Sequence, residues 1–150
     1  MIRSIRKIDE DFIYHSWLHT VSCPTKTVTA MTRCLIDSLV KAGQVKIWCP
    51  DDDENHIIGW VAYGNLEDTP LLHFMFIKKK FRNNGIATEL LESIYPDREE
   101  TTFCTFWTHH MQDMNARQRW NVKFASNLLP SVIYNMLCPS STQGVTRGAA

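Results

Sequence analysis

The sequence predicts a mixed α/β domain, an α+β sheet whose elements run β-α-α-β-β-β-α-β-α-β. Three observations carry this. Val28, Met31, Leu35, Ile36, Leu39 and Val40 recur at helical spacing. From Gln44 the period changes to two, with Val45, Ile47 and Cys49 alternating before the charged turn Asp51-Asp52-Asp53-Glu54-Asn55. Leu71 to Ile77 is then an uninterrupted apolar run, the pattern of a central strand buried on both faces.

The remaining elements follow in order. Met1 to Ile8 alternates loosely and reads as a first strand. Asp9 is placed to cap a helix running to about Thr20, with Phe12, Ile13, Trp17 and Leu18 on one side. Cys23-Pro24-Thr25 breaks that helix, and Gly43 stops the second one. His56 to Tyr63 pairs with Gln44 to Pro50 as a hairpin, and Asn65 to Pro70 is a turn. Lys78 to Gly85 is a polar loop. Ile86, Leu90, Leu91 and Ile94 mark a helix that ends before Pro96. Thr101 to Trp107 is a fifth strand, Gln112 to Trp120 a short helix, and Val122 to Tyr134 holds one or two short strands.

Composition narrows the function classes. A chain of 150 residues suits one domain, expected over 1–138, with a flexible Ser-, Thr- and Gly-rich tail over 139–150. Sixteen basic and sixteen acidic residues cancel, so no global field steers the chain to nucleic acid or an anionic membrane. No apolar run is long enough to span a bilayer, and no signal-peptide apolar region opens the chain, so a cytoplasmic location is expected. Five scattered cysteines, with no CxxC or HExxH, read as reduced thiols, and no metal site is expected.

The chemistry concentrates between Leu71 and Leu91. A buried strand delivers the turn Arg82-Asn83-Asn84-Gly85-Ile86-Ala87-Thr88 to a helix N-terminus. The first amide N–H groups of a helix have no internal partners, and the dipole adds about half a positive charge there. That is an anion site. Gly85 lets the backbone approach a phosphate, Ala87 keeps the surface small, and Arg82 can fork onto phosphate oxygens. The bland alternative is a solvated β-to-α loop. Lys78, Lys79 and Lys80 read either as a charged loop or as an attractor of phosphates.

Arg82-x-x-Gly85-x-Ala87 resembles the acetyl-CoA signature Q/R-x-x-G-x-G/A of the GNAT (GCN5-related N-acetyltransferase) superfamily, with Ile77 and Phe81 at fitting upstream positions. The likeness in element order covers about residues 1 to 125. The opening Phe12-Ile13-x-x-Ser16-Trp17-Leu18 is similar to small GNAT-like proteins of bacteria and their phages.

The resemblance implies a cleft where two strands splay, acetyl-CoA as acyl donor and an amine as acceptor. Amides from Arg82 to Thr88 would hold the pyrophosphate, the strand end at Phe76 and Ile77 would pair with the pantetheine arm, and an N–H near Met75 would polarise the acyl carbonyl. The family's strand glutamate is missing. His73 is the strand's one titratable residue, on the face of Leu71, Met75 and Ile77 if alternation is regular. It is either the general base or a packed histidine. Glu67 and Asp68 can act through a water or be ordinary turn residues. His109 and His110 can line the acceptor cleft. The family's helix tyrosine is also missing between Thr108 and Val122, which leaves Tyr134 as the candidate acid for the departing thiolate. Asn115-Ala116 resembles the start of the family's fourth-helix pattern. Cys104 reads as a buried thiol more than as a nucleophile. Tyr14 and Trp17 either shape the acceptor pocket or pack the core.

The leading expectation is an acetyl-CoA-dependent N-acetyltransferase acting by direct attack on an amine-bearing small molecule or peptide. A catalytically silent binding module on the same fold is the alternative from another class. A nucleic-acid or aminoacyl-tRNA acyltransferase, motivated by Lys78–Lys80, Arg117 and Arg119, ranks lower. Either a monomer or a homodimer is expected, since Leu128 to Leu137 can close the sheet or exchange with a second chain.

Overall fold

A computed structural model describes residues 1–21, 25–97, 100–106 and 120–125. Six strands form one sheet in sequential order: β1 Ile2–Ser4, β2 Val45–Trp48, β3 Gly59–Leu66, β4 Thr69–Ile77, β5 Thr102–Cys104 and β6 Val122–Phe124. The first four pair antiparallel, and β4–β5 and β5–β6 pair parallel. Parallel neighbours need a crossover, and helix α3, Ile86–Glu92, lies in the one between β4 and β5. Helices α1, Glu10–Leu18, and α2, Lys26–Lys41, lie between β1 and β2.

The helices cover both faces of the sheet. Ile13 and Trp17 of α1 and Leu35, Ile36 and Leu39 of α2 pack on Val45, Ile47, Trp60, Ala62, Leu71 and Phe74. Ile86, Leu90 and Leu91 of α3 pack on Val61, Leu72, Met75 and Ile77 from the other side. The run from Leu71 to Ile77 is apolar apart from His73 because it is the middle of this sandwich.

Regular alternation would put Leu71, His73, Met75 and Ile77 on one face. The structure departs from this. Ala62 pairs with Phe74 and Tyr63 with Leu72, so His73 has no partner across the ladder. It is the extra residue of a β-bulge, and a bulge reverses the parity of everything before it. Leu71 consequently packs with Phe74 under α1 and α2, whereas Leu72 packs with Met75 and Ile77 under α3. The Tyr95 hydroxyl pins the strands beside the bulge, reaching the carbonyls of Gly64 at 2.6 Å and Leu71 at 2.9 Å.

Several boundaries differ from expectation for physical reasons. Asp9 holds the N-cap position of α1, but its side chain makes no cap bond. Its carboxylate takes a two-pronged contact from Arg3 at 2.7 and 2.8 Å and the Arg6 N–H at 2.7 Å. Burial raises the Asp9 pKa, and these donors more than offset that and hold it below the usual carboxylate range. Thr25 caps α2 instead, accepting from the Val28 N–H at 3.2 Å. Val28 and Met31 are exposed although their spacing is helical, because α2 extends past the sheet it covers. The β3–β4 hairpin runs beyond Tyr63 to a two-residue turn at Glu67 and Asp68, with Glu67 at φ 55. Backbone pairing there does not require apolar side chains. Gly43 takes φ 69 and stops α2 as expected. The tail 139–150, the apolar run 128–137, most of the helix expected over 112–120, and Asn115, Ala116, Arg117, Arg119, Cys23 and Cys138 lie outside the described residues.

Gly59 opens β3 at a point of close approach. A Cβ there would sit 2.7 Å from Ile77 Cδ1 and 3.0 Å from the Phe76 carbonyl oxygen. Gly59→Val should therefore destabilise the protein by about 1–3 kcal/mol through overpacking. Urea denaturation followed by tryptophan fluorescence measures this, and an unchanged midpoint would contradict the close packing.

Candidate functional site

The loop between β4 and α3 is built by a change of backbone state. Lys78 donates its N–H to the Ile58 carbonyl at 2.9 Å, the last bond of the β3–β4 ladder. A single 3-10 turn, Lys79–Phe81, then reverses the chain. Asn83 takes φ 66 and Gly85 φ 82, both left-handed, and α3 begins at Ile86. Asn and Gly are the residues that adopt that conformation at least cost. The first bond back into the loop runs from Glu89 N–H to Gly85 carbonyl at 3.0 Å. Among the described residues, the main-chain N–H groups of Asn83, Asn84, Gly85, Ile86, Ala87 and Thr88 donate to no protein acceptor.

Arg82 to Gly85 are exposed, and Ile86 is buried and anchors the loop in the α3 core. A Cβ on Gly85 would meet nothing within 4 Å, so the space over the loop is open and only the backbone angle is restrictive. A run of main-chain donors without acceptors at the start of a helix is the arrangement by which a backbone nest takes an anion.

Arg82 does more than face this loop. Its Nε donates to the Ile77 carbonyl at 3.0 Å, tying the loop to the end of β4. Its two terminal nitrogens have no partner among the described residues. Lys78, Lys79 and Lys80 add three cations beside it. The Lys78 ammonium lies 5.4 Å from the Phe12 ring centre, and burial together with Lys80 lowers its pKa. The Glu89 carboxylate is engaged by Trp48 Nε1 at 2.7 Å. The connection between β4 and α3 is thus rich in cations although the chain has no net charge.

The edge of β4 leads to this loop. In an antiparallel ladder the residues two apart turn their main-chain groups to the same edge. Lys78 faces β3, so Phe76 and Phe74 do too, and Ile77 and Met75 turn to the β5 edge. The β4–β5 rungs are Leu71↔Phe103 and Leu72↔Cys104, extended by the Thr105 N–H to the Leu72 carbonyl at 3.1 Å. Beyond that level no β4–β5 rung forms among the described residues.

His73 sits just past the last described β4–β5 rung. Its Nδ1 lies 3.0 Å from Thr105 Oγ1, so one side-chain bond continues the rungs just before the strands part. The ring is 1% exposed, and burial lowers its pKa to about 4. It is neutral at pH 7. A Cβ on Gly64 would stand 3.2 Å from His73 Nε2, so that glycine makes room for the ring.

The other candidates fall in different places. Glu67 and Asp68 lie at the hairpin tip. Five residues of strand, about 16 Å, separate Asp68 from His73. The Cys104 thiol is buried and its pKa is pushed up to about 12, which leaves it protonated. Trp17 is core, stacked on Phe74 with ring centres 4.8 Å apart and meeting Phe106 edge-on at 5.7 Å. Tyr14 hydrogen-bonds Asp37 on α2. Tyr134, His109 and His110 lie outside the described residues. Thr105 and Tyr95 escaped sequence reasoning, since neither a strand threonine nor a tyrosine ahead of a proline announces a buried bond.

A family model described as the acetyltransferase (GNAT) family matches residues 10–121. The curated proteins give no match. Among solved structures the chain is similar to Ard1 from Thermoplasma volcanium, at 12% identity over 62% of this chain and 59% of that one, with a TM-score of 0.42. This chain therefore spans less than two thirds of that protein's length. It is similar to a histone acetyltransferase HPA2-related acetyltransferase from Corynebacterium glutamicum, at 12% identity, 78% and 82% coverage and a TM-score of 0.48. It is also similar to the ribosomal-protein-alanine N-acetyltransferase from Brucella melitensis, at 10% identity, 100% and 98% coverage and a TM-score of 0.42. The family model covers the strand, the loop and the helix that build the nest, and the chain belongs to the acetyltransferase (GNAT) family.

Proposed function

We propose that this protein is an N-acetyltransferase that moves an acetyl group from acetyl-CoA to an amine by direct attack. The observation that carries the proposal is the run of free main-chain donors from Asn83 to Thr88, placed directly after a strand whose edge at Met75 and Ile77 makes no rung to β5 among the described residues. The donors of Asn83, Asn84, Gly85, Ile86, Ala87 and Thr88 hold the pyrophosphate, and Arg82 adds its terminal nitrogens. The strand end at Phe76 and Ile77 aligns the pantetheine arm, with the hydrogen bonds made by Ile77. The Met75 N–H faces the acyl carbonyl. The amine nitrogen attacks that carbonyl carbon, the carbon–sulfur bond breaks, and CoA leaves as the thiolate. The amine proton passes to solvent or to the sulfur. Tyr134 is the residue offered for protonating the thiolate. The acceptor is an amine-bearing small molecule or peptide.

His73 suits a positioning role better than that of a base. A general base works best with a pKa near the operating pH, and burial has taken this imidazole to about 4. Its bond to Thr105 fixes where β4 and β5 part. The same observation favours a second reading, a CoA-binding module without turnover, because β4 then offers no basic group of its own.

Calorimetric titration with acetyl-CoA tests the site. Wild type should bind with one site per chain. Gly85→Glu, which puts bulk and charge into the nest, should abolish binding, and Arg82→Ala should weaken it about tenfold. No binding by wild type, or equal binding by a folded Gly85→Glu variant, would remove the assignment. Turnover on an amine panel separates the enzyme from the silent module.

His73 allows two further checks. His73→Asn preserves a partner at the Nδ1 position, so it should keep most of the rate. Loss of about 10²–10⁴-fold, the usual contribution of a general base, would restore the base role. Stability gives the second. The folded state holds His73 neutral while the unfolded chain takes up a proton below about pH 6.5. Its contribution is therefore complete above that pH and is lost as pH falls from about 6.5 to about 4, on the order of 3 kcal/mol. Urea midpoints over that range should fall more steeply for wild type than for His73→Asn.

A further inference from the structure

The exposed side of α1 carries a feature that acyl transfer does not use. His15 and His19 are four residues apart, so they stand one above the other on the helix surface. Both are exposed, and their ring centres are 4.4 Å apart with the planes at 73°. Among the described residues neither ring has another polar partner. Most surface side chains spread into water, whereas these two imidazoles are held in contact with their nitrogens free.

Their surroundings favour a cation. His15 lies in the last turn of α1 and His19 is its C-cap, where the carbonyl ends of the helix leave about half a negative charge. Asp11, one turn earlier, lines the same cleft of about 580 Å³, together with Tyr14, Leu18 and Arg33. Arg33, the one full cation there, is drawn to the Tyr14 ring, 5.9 Å from its centre. The cleft is open to solvent and roomy enough for an ion that keeps its waters.

We propose that His15 and His19 form a two-imidazole chelate for a divalent transition-metal ion of the zinc, nickel or copper type. Imidazole nitrogen is a borderline ligand that suits these ions and does not suit magnesium or calcium. Paired histidines at i and i+4 are the spacing by which a helix presents two nitrogens to one ion. Among the described residues no group of three or more His, Cys, Asp or Glu could hold a metal. The chain thus supplies two ligands and water fills the rest, so the ion is exchangeable and has open positions. Bound there, it staples the last turn of α1, the helix that carries Trp17 into the core. This proposal does not depend on the acyl-transfer reading.

The test uses the untagged full-length chain, free of chelators, titrated with nickel chloride and separately with zinc chloride. Wild type should bind one ion per chain, and its melting temperature should rise with metal concentration by mass action. His15→Ala and His19→Ala should each lose both the binding and the rise. His19→Ala/Thr20→His, which moves the second ring around the helix, should not restore either. Far-UV circular dichroism and the metal-free melting temperature of each variant check that the fold is intact. Magnesium should give no response. The proposal is overturned if wild type binds neither ion, or if the variants bind as wild type does. It is equally overturned if the shifted pair binds as well as the native one.

Discussion

The structure depends on the break in register between β3 and β4. One unpaired residue, His73, divides β4 into two segments that present opposite faces for the same position in the alternation. The earlier segment pairs with β5 and closes the sheet. The later one keeps its bonds to β3 and makes no rung to β5 among the described residues. Tyr95, Thr105 and the missing side chain of Gly64 hold that irregularity in place from three directions.

The nest is the second half of the same device. β4 ends at a fixed point because Lys78 closes the ladder and Arg82 returns to the Ile77 carbonyl. The direction of α3 is set by its burial on the opposite face from α1 and α2, through Ile86, Leu90 and Leu91. A loop with free amides therefore follows directly on the end of the strand, with Lys78, Lys79, Lys80 and Arg82 in the connecting sequence. The chain's overall neutrality conceals this, because acidic residues cluster in other segments: Asp9 in the clip with Arg3 and Arg6, and Asp51, Asp52, Asp53 and Glu54 in the β2–β3 connection.

The parts that were legible in the sequence are those with a local cause. The element order, the loop chemistry of Arg82 to Ala87 and the stop at Gly43 each follow from nearby residues. The bulge does not. In a run buried on both sides, every residue from Leu71 to Ile77 except His73 is apolar, so the pattern holds no parity signal that a shifted register could disturb. The histidine was visible as the exception, but its low basicity comes from burial that only the assembled sheet provides. The position of Asp9 at the start of α1 was legible, and the partner of its carboxylate was not: the guanidinium that claims it comes from β1, six residues away.

The left-handed angles at Asn83 and Gly85 have a consequence for how such a site changes over time. A ligand gripped by backbone amides is recognised through dihedral angles, and many different side chains can produce the same angles. The nest asks for residues that tolerate a positive φ, a small group at Ala87 and an anchor at Ile86. It asks little of Asn84 or Thr88. Sequences can therefore drift widely around an unchanged cradle, as long as the residues at these few positions keep its backbone angles.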